Sequence, residues 1–158
     1  MSELGILLEQ YKLFVEMADR VSSRRAGMNK FYVSVLAGLF AILSVVSSIE
    51  QDKSYVLAVL GVSSLLGLML CAIWWFNLLS SKQLNSAKWK VVHEIESQLP
   101  IQPWDKEWEY LGRGKSSKKY IKSTTIERLV PFALSVPYLV LFVYSLISLF
   151  LTGSCQTP

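Results

Sequence analysis

Three long stretches of this chain contain no Asp, Glu, Lys, Arg or His: 31–49, 55–79 and 129–151. A hydrocarbon core of roughly 30 Å is crossed by roughly 20 helical residues, so each stretch is long enough to span a bilayer. Backbone groups in lipid must be satisfied within the segment, which makes each stretch a helix and not an open strand. A total of 52% hydrophobic residues against 18% charged is too apolar for an ordinary soluble domain of 158 residues. The expected fold class is all-α: an integral membrane protein with three transmembrane helices and cytoplasmic amphipathic helices. A cleaved secretory signal does not suit the first stretch, because thirty residues of mixed charge precede it.

Charge placement sets the expected orientation. Of the sixteen Lys and Arg residues only Lys53 lies between the first two stretches; the others precede the first or fall between the second and third. The positive-inside rule assigns that side to the cytoplasm, with the N-terminus inside and the uncharged tail 152–158 outside. The layout reads as a cytoplasmic helix 2–29, spans 31–49 and 55–79, a cytoplasmic segment 80–128, the span 129–151 and the tail. Arg24, Arg25, Lys30, Lys82, Lys122 and Arg128 flank the spans, where anionic lipid head groups account for them better than nucleic acid does. The membrane expected is the bacterial inner (cytoplasmic) membrane.

Leu4, Leu7, Tyr11, Phe14, Ala18 and Val21 alternate by three and four, the seam of a helix that packs on protein. Its partner is either this chain's own cytoplasmic helix or a neighbouring copy. In the spans, Ser34 with Gly38, Ala37 with Ala41, Ser44 with Ser48 and Ser63 with Gly67 are small-x-x-x-small pairs that let helices approach closely. The seam together with Gly38 and Ala41 forms the expected oligomer interface. After the second span an apolar pattern runs through Leu84, Ala87, Val91, Val92, Ile95 and Leu99 until Pro100 stops it, as one helix continuous with the span.

From 100 to 123 no period survives. The first half is aromatic and acidic, with Trp104, Trp108 and Tyr110 as contacts for a collar or a protein partner; the second half is basic and small. Thr124 and Glu127 read as a capping box for the last span, and Pro131 and Pro137 lie inside it, where a kink is expected. In that span Ser135, Tyr138, Phe142, Ser145 and Ser148 form a weakly polar stripe, which either lines a pore or packs on another helix.

Little in the sequence points to catalysis. Gly114-Lys115-Ser116 echoes a phosphate-binding loop, but Glu109 stands where its first Gly belongs. His93 has one carboxylate on its face, Glu96, too few ligands for a metal. No catalytic residue, cofactor site or metal site is expected. Uncharged spans do not suit an ion-coupled transporter. Cys71 lies within a span and Cys155 in the outer tail, where pairing with another copy needs an oxidising compartment.

The run Leu8-Glu9-Gln10-Tyr11-Lys12-Leu13-Phe14-Val15-Glu16-Met17-Ala18-Asp19-Arg20-Val21-Ser22-Ser23-Arg24-Arg25 before a span resembles the opening of the RipA-like octameric membrane proteins of bacteria. Pro103 to Trp108 and the entry from Tyr120 to Glu127 into the last span fit the same layout. The resemblance covers nearly the whole chain and implies a homo-octamer, but its motifs name no reaction. The functional expectation is a non-enzymatic ring with a central pore or channel; the alternative is a scaffold that recruits a protein through its cytoplasmic collar.

Overall fold

The computed structural model describes residues 3–49, 52–114 and 123–154, with the side chains of 3–49, 52–113 and 126–151. Helix α1 runs from Glu3 to Ile49, α2 from Lys53 to Glu96, α3 from Pro103 to Tyr110 and α4 from Ser123 to Ser154, with a short 3-10 turn at Gly112–Gly114. No strand occurs among the described residues. The fold is all-α, and α1, α2 and the Ile126–Leu151 part of α4 are each long and apolar enough to cross a membrane. The side chain of Thr124, the basic run 115–119, Lys122 and Cys155 lie outside the described residues.

Asp52 starts α2. Its side chain accepts from the backbone N–H groups of Ser54 (2.9 Å) and Tyr55 (3.4 Å), satisfying donors that the first helical turn leaves free. The second span and its polar extension form one helix, and that helix ends at Glu96, before Pro100 is reached. α4 runs unbroken through Pro131 and Pro137.

The chain divides into two compact units, and α1 and α2 contribute to both. The first comprises residues 1–27 and 77–127, the second residues 28–76 and 128–158.

In the second unit, burial follows a three-four alternation on every helix, as expected of packed helical seams. Tyr32, Leu36 and Leu43 are buried on α1; Leu57, Ser64, Cys71 and Trp74 mark the inward row of α2; and Pro131, Tyr138 and Ser145, seven residues apart, mark that of α4. Glycine makes the closest contact here possible. A Cβ on Gly67 would overlap the Tyr138 ring, and one on Gly61 would come within 2.8 Å of the Ser145 hydroxyl oxygen.

In the first unit the aromatic half of the 100–123 stretch is helical although the sequence shows no period there, because α3 occupies it. Pro103 at the first helical turn carries no N–H that needs a partner. At the other end Gly112 adopts φ 65°, the left-handed conformation that commonly stops a helix and that glycine takes without a Cβ penalty. The inward face of the α2 extension also differs from the pattern read from its apolar residues. Leu84 and Ala87 are exposed, whereas Val92 and the charged Glu96 are buried.

Candidate functional site

Glu96 is the most enclosed charged side chain among the described residues, only 1% exposed. Its Oε1 accepts from the backbone N–H of Trp104 at 2.7 Å, and its Oε2 lies 3.2 Å from Nδ1 of His93, which donates when it carries the proton. The Trp104 N–H belongs to the first turn of α3, and the residue before that helix, Gln102, makes no side-chain cap. Glu96 thus caps α3 from the end of α2, with its negative charge at the positive end of the helix dipole. Tyr11 of α1 lies against the same carboxylate and the Trp104 side chain. Burial pushes its phenol above the ordinary tyrosine range, and the charge of Glu96 pushes it further in the same direction.

Beside this cluster is a cleft of ≈ 530 Å³ lined by Trp89, Lys90, His93, Trp104, Glu107 and Trp108 among others. Trp89 meets Trp104 edge to face at 4.9 Å, the arrangement aromatic pairs favour. Of the three aromatic residues singled out from the sequence, Trp104 and Trp108 are therefore half-buried walls of a cleft, and Tyr110 is 82% exposed.

The N-terminal seam is partly occupied by the chain itself. Ala18 is fully buried within the subunit and Tyr11 sits against Glu96 and Trp104; Leu7, Phe14 and Val21 are half-buried and Leu4 is exposed. A different row of α1, Ile6, Leu13 and Met17, stays exposed. Among the span-flanking basic residues, Arg25 is committed to Glu127 across 3.0 Å in a largely buried pair, while Arg24, Lys30 and Lys82 are exposed.

In the membrane unit the α4 stripe faces inward at two of its polar positions. The Tyr138 hydroxyl donates to the carbonyl of Leu36 at 2.5 Å and the Ser145 hydroxyl to that of Leu57 at 2.7 Å. Of the two uses open to this stripe, the structure shows helix packing for Tyr138 and Ser145. Ser135 and Ser148 are half-buried, and the Ser135 hydroxyl donates to Phe132 within its own helix. Trp74, five residues inside the end of the second span, is also interior. It stacks on Tyr32 at 5.4 Å and donates to the Asn29 side chain at 2.9 Å.

The opposite face of α1 is bare. Ser34, Ala37, Gly38, Ala41, Ser44 and Ser48 are all exposed, on the side away from Tyr32, Leu36 and Leu43, and a Cβ on Gly38 would meet nothing within 4 Å. Helices with such faces approach one another closely in membranes.

The model of one protein family, the octameric membrane protein family (8xMP), matches residues 8–147. The chain belongs to that family. No curated protein and no solved structure matches it. As a family member it is an octameric membrane protein, so its complete form contains surfaces that one subunit leaves open. The match takes in α1 from Leu8 onward, all of α2, α4 as far as Ile147, and the Glu96 cluster. Among the described residues no group of three or more His, Cys, Asp or Glu side chains is placed to hold a metal ion.

Glu96 is the residue that sequence reasoning passed over except as a neighbour of His93. Its signal was present but weak: a carboxylate in the last turn of a helix, seven residues before the proline that opens the next one.

Proposed function

We propose that this octameric membrane protein is a non-enzymatic ring with a central pore in the bacterial cytoplasmic membrane, its N-terminus and α3 on the cytoplasmic side. The observation that carries the reading is the exposed Ser/Gly/Ala face of α1, opposite that helix's packed seam. Eight copies inserted with one orientation can share only symmetry axes normal to the bilayer, since an in-plane twofold would invert half of them. The closed arrangement of eight under that constraint is a single ring with head-to-tail contacts. With α1 innermost, Gly38 and Ala41 allow neighbouring helices to approach, and Ser34, Ser44 and Ser48 put hydroxyls toward the axis. Arg24, Lys30, Lys82, Lys122 and Arg128 then meet anionic head groups on the cytoplasmic side.

Imaging of detergent-solubilised particles, paired with planar-bilayer recording, tests this reading. Eightfold projections and a conductance altered by Ser44→Leu are expected; particles lacking eightfold symmetry, or octamers silent at every voltage, overturn it.

A second reading keeps the ring and makes it a scaffold. It is favoured by the tryptophan-lined cleft and exposed Tyr110, because buried aromatic anchors carry much of the energy of protein interfaces. Crosslinking in cells should then recover a second protein through residues placed at 104, 108 or 110; recovery of self-contacts alone removes it.

A further inference from the structure

The lipid contacts proposed above treat the basic residues as a general attraction, but one of them stands at the mouth of a formed groove. The Arg128 guanidinium lies over the Trp75 ring at 5.0 Å, and Trp75 in turn meets Phe132 edge to face at 4.6 Å. Below them a groove of ≈ 330 Å³ opens between α2 and α4, lined by Leu68, Cys71, Phe76 and Pro131 as well as these aromatic rings. Its walls are almost wholly apolar and lie within two membrane-spanning segments.

The cation at its mouth is incompletely satisfied. Nε of Arg128 is buried with no hydrogen-bond partner among the described residues. The only acidic residues in this unit's sequence, Glu50 and Asp52, lie in the α1–α2 connection, at the far end of the spans from Trp75 and Arg128. A guanidinium held by its face against an indole leaves the N–H groups of its two terminal nitrogens pointing outward from its edge, and that pair matches a phosphate with paired donors.

We infer that this groove binds one anionic phospholipid, its phosphate on Arg128 and an acyl chain along Trp75, Phe132 and Leu68. The charge of the mouth and the apolarity of the walls select the two halves of the same molecule. The inference rests on reading Arg128 as a head-group residue and adds a defined site to it; it does not depend on whether the ring conducts.

Quenching by brominated lipid tests the site. The octamer is reconstituted into phosphatidylcholine vesicles containing brominated phosphatidylglycerol or, in a matched sample, brominated phosphatidylcholine. Tryptophan fluorescence should be quenched more by the brominated phosphatidylglycerol. That excess should be lost in Trp75→Phe and in Arg128→Gln, with octamer mass retained, and kept in Lys82→Gln. Equal quenching by the two lipids, or an excess that survives Arg128→Gln, overturns the site. Absence of Trp75-dependent quenching by either lipid overturns it too. Mass spectrometry of co-purified lipid separates the two levels: phosphatidylglycerol enrichment without Trp75-dependent quenching removes the site but keeps the head-group reading, and no enrichment removes both.

Discussion

The backbone N–H of Trp104 donates to the Glu96 carboxylate at 2.7 Å, so one helix is started by a side chain from the end of another. Replacing Glu96 by Ala leaves that part-buried donor without its acceptor, which typically costs about 1 kcal/mol or more. Glu96→Gln keeps one oxygen and is expected to cost less. Hydrogen exchange of the α3 amides reads the difference directly, with faster exchange expected from 104 to 110 in Glu96→Ala and an intermediate rate in Glu96→Gln. Unchanged exchange in both would show that α3 does not depend on this cap.

Tyr11 should titrate above the ordinary tyrosine range, because burial and then the charge of Glu96 both oppose the phenolate. Its folded-state value is raised, so its contribution to stability is complete below the unfolded value of about 10 and is lost as pH rises through the folded value. Subtracting the alkaline ultraviolet titration of Tyr11→Phe from that of the parent isolates this group. Glu96→Gln should move the Tyr11 midpoint part of the way back, since burial, the larger cause, remains. A midpoint in the ordinary range for the parent protein would contradict the arrangement of α1 against Glu96.

The spans were readable from sequence because the absence of charge over 19 or more residues is a property of the segment itself. The α4 stripe was readable as a stripe, but its direction was not. A serine or tyrosine hydroxyl satisfies a neighbouring helix's carbonyl as readily as it faces water, and the acceptors at Leu36 and Leu57 lie 102 and 88 residues away. Helix α3 eluded the periodicity because eight residues hold little more than two turns, and because its cap comes from the preceding helix. Glu96 ran against the rule that carboxylates stay outside; a backbone amide and a histidine brought to its two oxygens by the fold make its burial tolerable. The split of α1 into a packed face and a bare one was only half visible, since small residues mark close approach without saying whose helix approaches.

Gly67 lies under the Tyr138 ring, where a Cβ would overlap it. Gly67→Ala is therefore expected to destabilise the membrane unit by about 1–3 kcal/mol, the usual range for overpacking. Tyr138→Phe, which keeps the ring and loses the bond to Leu36, should cost about 1 kcal/mol. Tyr138→Ala removes the obstacle as well as the ring, so it should be less harmful in the Gly67→Ala background than in the parent. A double-mutant cycle on unfolding in mild detergent measures this coupling, and additive effects would place the two residues apart.

Ser145 and Gly38 both lie in spans, yet leucine at these positions should fail in different ways. Ser145 is fully buried, bonded to Leu57 and close to the Cβ-less Gly61, so Ser145→Leu removes an interhelical bond and collides with α2. It should lower the unfolding temperature and the yield of folded subunit before any change in subunit number is detected. Gly38 faces open space in the subunit, so Gly38→Leu should leave helix content and the Tyr138 packing intact while reducing the fraction of eightfold particles. Circular dichroism melts read the first effect, and native mass measurement reads the second. A Ser145→Leu protein as stable as its parent would deny that this hydroxyl is a packing element, whatever its conductance. A Gly38→Leu protein that still forms intact octamers would remove the bare face of α1 from the subunit contact and leave the ring to be closed by other surfaces.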